Sequence, residues 1–183
     1  GLDGGGPQRG AITLRQLFSM SHALHSLHRY QTMRSLDLAA SVEAIRAGIP
    51  VTSTCIPGLT CGPVPMAFAP GTHVGYDGKG FQVAGAAILQ AYAGEHTDWR
   101  SLARDELFTP CGMTSTTYDA FYPQNPAIAG GVVTTADDYL RMLDMIHRGG
   151  SCGSAQVLSA ASIDDLFAWH LTPEGGLAPR DTP

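Results

Sequence analysis

Phe68-Ala-Pro-Gly-Thr-His-Val-Gly-Tyr76-Asp-Gly-Lys-Gly-Phe-Gln-Val-Ala-Gly85 is the stretch from which the rest of this chain can be read. Pro70-Gly71-Thr72 predicts a turn. Tyr76 follows, just ahead of a segment, Gly80 to Tyr92, that reads as a helix. Ala84, Gly85, Ala86 and Ala87 leave that helix without bulky side chains, so it can press against a neighbour. A phenol held at such a helix start can take and give protons, provided a nearby cation draws its pKa well below the usual value of about 10. A tyrosine in this role ordinarily serves a serine nucleophile with a lysine one helical turn later. The only lysine in the 183 residues is Lys79, and the residue three before it is Tyr76, so no Ser-x-x-Lys exists here.

Further segments extend the pattern. Ala11-Ile-Thr-Leu-Arg-Gln-Leu-Phe-Ser-Met-Ser-His-Ala-Leu24, the Tyr76 segment, Leu107-Phe-Thr-Pro-Cys-Gly-Met-Thr-Ser-Thr-Thr-Tyr118, Ala129-Gly-Gly-Val-Val-Thr-Thr-Ala-Asp-Asp-Tyr139 and Val157-Leu-Ser-Ala-Ala-Ser-Ile163 follow one another in a recognisable order. Together they resemble the serine β-lactamase, penicillin-binding protein and family VIII esterase superfamily. Any one of them alone is weak; the order carries the resemblance. Met20, His22 and Ala23 stand where that family tends to have His or Phe, Ser and Gly, which predicts an altered turn. Gly78 stands in the place of the Asn of a Tyr-x-Asn motif. The family's Ser-x-x-Lys lies before the first of these segments and its Lys-Thr-Gly or His-x-Gly strand after the last. The expectation is therefore a partial domain over residues 1–183, the middle of a longer hydrolase.

The resemblance implies an α/β plus all-α fold of the β-lactamase/transpeptidase type. This chain covers mainly the helical part, with short β or irregular pieces, and its helices should present apolar faces meant for a sheet. It also implies a reaction. A serine attacks an acyl carbonyl, and Tyr76 acts as general base and then as general acid to the leaving group. Backbone N–H groups form the oxyanion hole. Asp77, Gly78 and Lys79 become cleft candidates, although three residues along the turn Lys79 is expected to point to solvent. Gly in the Asn place favours an esterase or peptidase-like member over an efficient β-lactamase. The substrate class is a small or peptide-like acyl compound, an ester, amide or β-lactam. The alternative, from another class, is a noncatalytic binding module or pseudoenzyme of the same fold.

Composition narrows the partners. Apolar residues make up 44% of the chain, enough for a core, while 22 Gly and 12 Pro imply many turns. A net charge of −5 supplies no basic field for nucleic acid. No apolar run approaches the roughly 18 residues that span a bilayer. No cofactor is called for. Cys55 and Cys61 bracket a short loop and either close as a small disulfide or remain reduced thiols; the former points to the periplasm or the exterior. Two cysteines do not make a zinc site, so no metal is assigned. Cys111 and Cys152 read as buried or isolated thiols.

The remaining motifs have plain readings. His22, His25 and His28 fall at i, i+3, i+6 on one predicted helical face, a metal-like spacing with no acidic or Cys residue to complete it. Gly149-Gly-Ser-Cys-Gly153 matches the Gly-x-Ser-x-Gly of a nucleophile elbow, but a helix precedes it where a strand is required. Thr13, Asp98, Thr135 and Ser159 predict helix N-termini. The helix from Leu36 to Arg46 places Leu38, Val42 and Ile45 in register, and one from Trp99 runs to Phe108. The helix after Thr135 carries Leu140, Leu143 and Ile146, and the last carries Ile163, Leu166 and Phe167. The first seven residues and the tail after Leu171 read as frayed.

Overall fold

The small-residue helix predicted beside Tyr76 forms over Lys79–Ala91 (α4) and organises what surrounds it. In this computed structural model the described residues are 7–24, 37–47, 66, 68–92, 94–118, 124–168 and 176–177. Gly80, Val83, Ala84 and Gly85 lie on the buried face of α4. The absence of Cβ atoms there has a direct use. A Cβ on Gly80 would strike the His22 ring and the Leu17 carbonyl oxygen, and one on Gly85 would strike the Ile128 side chain. Gln82, also buried, clamps the following loop: its Nε2 donates to Asn125 Oδ1 at 3.0 Å and Pro126 O at 3.1 Å, and its Oε1 accepts from Ile128 N at 2.7 Å.

Two short helices precede this unit, Pro7–Gly10 (α1) and Leu14–Phe18 (α2), followed by Leu38–Ala47 (α3). As the sequence predicts, Thr13 caps α2, and Gln16 completes a capping box. Helices α2 and α3 pack on α4 and close a first core of Leu17, Leu24, Ile45, Val83 and Ala84.

The second core is made by later elements. Asp98 caps Trp99–Ala103 (α5), which widens into a π-helical turn at Arg104–Phe108 rather than continuing as the α-helix expected from the sequence. Phe108, Cys111, Met113, Tyr118 and Met145 are buried together there. Thr135 caps Ala136–His147 (α6), and Ser159 caps Ala160–Phe167 (α7). The cap of α6 is one-sided. The Asp138 carboxylate accepts instead from Ser115 N at 2.7 Å and Thr116 Oγ1 at 2.8 Å, fastening the preceding turn to the helix.

That anchor rotates α6 relative to the sequence reading. Asp138, Met142, Met145 and Ile146, at i, i+4, i+7 and i+8, face inward, whereas Leu140 and Leu143 are exposed. On α7, Ile163 is buried but Leu166 and Phe167 are exposed. The helices do carry uncovered apolar side chains, as the resemblance implied.

Among the described residues the strands are two-residue pairs: His73–Val74 (β1) with Gly176–Leu177 (β6), parallel; Thr117–Tyr118 (β2) with Val132–Val133 (β3), antiparallel; and Ser151–Cys152 (β4) with Ala155–Gln156 (β5), antiparallel. The predominantly helical character agrees with the expected fold. The β1–β6 pairing shows that the tail is not wholly irregular.

Cys111 and Cys152 correct the reading of buried or isolated thiols: Cys111 is buried, but neither is a thiol. They form a disulfide, Cα atoms 4.9 Å apart, across a sequence separation of 41. It joins the turn after the π-helical segment to the β4–β5 hairpin, and contacts so distant in sequence leave no mark in local spacing. Cys55 and Cys61 lie outside the described residues.

The turn after α2 is strained. Met20 and Ala23 have φ of 55° and 61°, the left-handed region that costs an L residue about 1–2 kcal/mol. Ala23 occupies the place where the resembled family tends to have Gly. Ala23→Gly is therefore expected to stabilise the chain by about 1 kcal/mol, strain relief exceeding the entropy that glycine adds to the unfolded state. Urea unfolding measures it, and a destabilised variant would show that packing of the buried methyl outweighs strain.

Candidate active site

The Tyr76 loop is assembled from local turn chemistry and two long-range backbone bonds. Ala69-Pro70-Gly71-Thr72 closes with Thr72 N donating to Ala69 O at 3.1 Å, and Gly71 takes the φ of 88° that the third position of a type II turn requires. Thr72 Oγ1 also donates to Ala69 O at 2.7 Å. Gly71 N then donates to Ser21 O at 2.8 Å and Gly75 N to Met20 O at 2.9 Å, so the strained turn after α2 holds this loop along its length. Tyr76 emerges from that bracket two residues before Gly78, the N-cap of α4, with its side chain 91% exposed. Turn, tyrosine and helix start thus follow the predicted order.

Directly after Tyr76 the chain buries charge. Lys79 Nζ lies 2.6 Å from Asp77 Oδ2, their side chains 1% and 8% exposed, and Asp77 Oδ1 accepts from Lys79 N at 2.6 Å. The expectation that Lys79 points to solvent is wrong. Asp77 both substitutes for the side-chain cap that Gly78 lacks and supplies a counter-ion, so the lysine folds back under the helix start.

His22 completes the cluster. It is not on a helix with His25 and His28, as the spacing suggested; it sits in the bend after α2, 1% exposed, and His25 and His28 lie outside the described residues. Its Nδ1 accepts from Leu24 N at 3.1 Å, which places the proton of the neutral ring on Nε2, an atom with no hydrogen-bond partner among the described residues. Burial pushes its pKa down to about 4, with Asp77 opposing and Lys79 adding to the shift. Among the described residues, no group of three or more His, Cys, Asp and Glu side chains is arranged to hold a metal.

This arrangement fixes a pH dependence. A folded pKa of about 4 against an ordinary 6.5 means that folding favours the neutral ring. The contribution is complete above pH 6.5 and fades as pH falls, by about 3 kcal/mol once pH is below the folded value. Unfolding free energies of the chain and of His22→Asn, measured between pH 7 and 4, should diverge in slope. Parallel curves would show that His22 is not buried neutral.

Sequence reasoning missed His22 as a neighbour of Asp77, Lys79 and Gly80. The available signal was that His22 and Gly78 both depart from the residues the resembled family tends to have, and the fold sets His22 beside Asp77 and Lys79, which flank Gly78. The Gly-x-Ser-x-Gly segment, by contrast, behaves as its context predicted. Gly149 and Gly150 end α6, Cys152 is in the disulfide, and Ser151 Oγ donates to Gln156 Oε1 at 2.7 Å across a hairpin.

Among known proteins, the Beta-lactamase family model matches residues 3–182. The crystal structure of a "putative beta-lactamase" from Bacteroides dorei DSM 17855 superimposes with a TM-score of 0.72 at 24% identity, covering 96% of this chain. The chain spans about half of that protein, 48% of its length. No curated protein sequence matches.

Proposed function

Because this chain belongs to the Beta-lactamase family, we propose that it forms part of a serine hydrolase that cleaves an acyl substrate, an ester, amide or β-lactam, with Tyr76 as the proton carrier. The observation that carries this reading is Tyr76 itself. A turn, a backbone bracket and a helix start hold its backbone in place, yet its side chain stands 91% exposed, where a tyrosine serving only the core would be buried. In the proposed reaction Tyr76 first accepts the proton of the attacking serine hydroxyl and then returns a proton to the departing group. The serine and its lysine come from sequence beyond these residues, since no serine here has a lysine three positions later.

Asp77, Gly78 and Lys79 enter the proposal differently. Asp77 and Lys79 support the floor of the site through their ion pair rather than contact substrate. Gly78 leaves the mouth open where an Asn side chain would stand, which suits an ester or peptide-like acyl group. The Cys111–Cys152 disulfide supports a periplasmic or secreted location, because disulfides persist in oxidising compartments. No described helix is long and apolar enough to cross a membrane. A noncatalytic binding role is favoured by one observation, that Lys79 is buried and paired with Asp77.

The 183-residue chain by itself is expected to hydrolyse neither a p-nitrophenyl ester nor a chromogenic cephalosporin above the buffer rate, because it carries no activated serine. Turnover that vanished in Ser151→Ala would relocate the nucleophile to the β4 hairpin and overturn the assignment. Turnover by the longer protein, with covalent labelling of a serine that has a lysine three residues on, would support it.

A further inference from the structure

The bracket that holds the Tyr76 loop has His22 as its wedge. The ring lies between the Met20–Ala23 turn, which accepts the Gly71 and Gly75 amide protons, and Gly80 in the first turn of α4. Gly80 leaves no room for even a methyl group against that ring. Ring and turn are locked to each other through the Leu24 N–H, which needs an acceptor at Nδ1. The charged groups that face the ring are Asp77 and Lys79, and both belong to the segment that carries Tyr76. The ring is thus seated by a hydrogen bond on one side and by close packing on the other, while Nε2 has no partner among the described residues. A buried donor without a partner contributes nothing to holding the ring, so its seat is set by the Leu24 N–H bond and the Gly80 contact.

We propose that His22 is a positioning residue for Tyr76: its neutral imidazole keeps the Met20–Ala23 turn in the shape that accepts the Gly71 and Gly75 N–H groups, and losing that acceptor or that neutrality releases the loop. Protonating Nδ1 would remove the acceptor for Leu24 N–H and set a cation beside Lys79. The turn, already holding two residues at positive φ, then has less to keep it in place. This role bears on catalysis through the proposed function of Tyr76, but the mechanical link stands apart from it.

Isotope-labelled chain titrated by NMR from pH 7 to 3.5 tests the link. The His22 ring should titrate with a midpoint of about 4. The Gly71 and Gly75 amide signals should move with the same midpoint, while those of Cys111 and Met113 in the second core stay still. Static glycine signals, a His22 midpoint near the ordinary 6.5, or movement of all four amides together would overturn the proposal. At pH 7, His22→Asn, whose Oδ1 can accept from Leu24 N–H, should keep the Gly71 and Gly75 amides protected. His22→Leu should speed their exchange at least about tenfold relative to the Cys111 amide. Equal protection in both variants would contradict the role, and the titration of the unaltered chain decides the matter where a variant does not fold. Full activity of Tyr76→Phe in the longer protein would remove the catalytic reading while leaving these results intact.

Discussion

Lys79→Met is expected to lower folding stability by about 3 to 5 kcal/mol, the usual cost of removing one member of a buried ion pair. The Asp77 carboxylate is 8% exposed; without Nζ at 2.6 Å it keeps its bond from the residue 79 backbone N–H but loses its counter-ion. It must then stay charged in a poorly solvated place or take up a proton, and both oppose folding. The same substitution removes the like charge that helps hold the His22 pKa down and leaves Asp77 to raise it, so the His22 midpoint should climb from about 4. A double variant, Lys79→Met with Asp77→Leu, should recover much of the loss, because an apolar pair of similar volume avoids stranding either charge. Chemical denaturation at pH 7 measures all three. A loss below about 1 kcal/mol for Lys79→Met would place the pair in effective contact with solvent.

What the sequence disclosed was what is decided locally. Thr13, Asp98, Thr135 and Ser159 were legible as helix starts because a cap needs only the next three residues. The small-residue helix and the Pro70-Gly71 turn before Tyr76 were legible for the same reason. What stayed hidden depends on partners far along the chain. The Cys111–Cys152 bond spans 41 positions. The inward face of α6 is set by Asp138 reaching back to Ser115 and Thr116 rather than by its leucines. Lys79 looked like a solvent-facing cation because exposure is the ordinary state of lysine. Only the pairing with Asp77, and the fold that sets both beside His22, reverses that. The family was visible in the order of its segments, and the Beta-lactamase match over residues 3–182 bears it out.

The account turns on whether Tyr76 carries a proton, and Tyr76→Phe in the proposed longer hydrolase asks this most directly. The substitution deletes one oxygen. The ring is 91% exposed, so packing scarcely changes, and stability is expected to move by less than about 0.5 kcal/mol. The rate should not be spared: losing a positioned general acid–base group lowers kcat by roughly 10² to 10⁴. The loss should fall on kcat and kcat/KM together, because the phenol acts on the transition state rather than on substrate binding. Hydrolysis of a p-nitrophenyl ester by the longer protein and its Tyr76→Phe variant, with unfolding measured alongside, is therefore the decisive measurement. The account predicts an equally stable variant slowed at least about a hundredfold; a variant of unchanged kcat would contradict it and leave Tyr76 a surface tyrosine with no part in the chemistry.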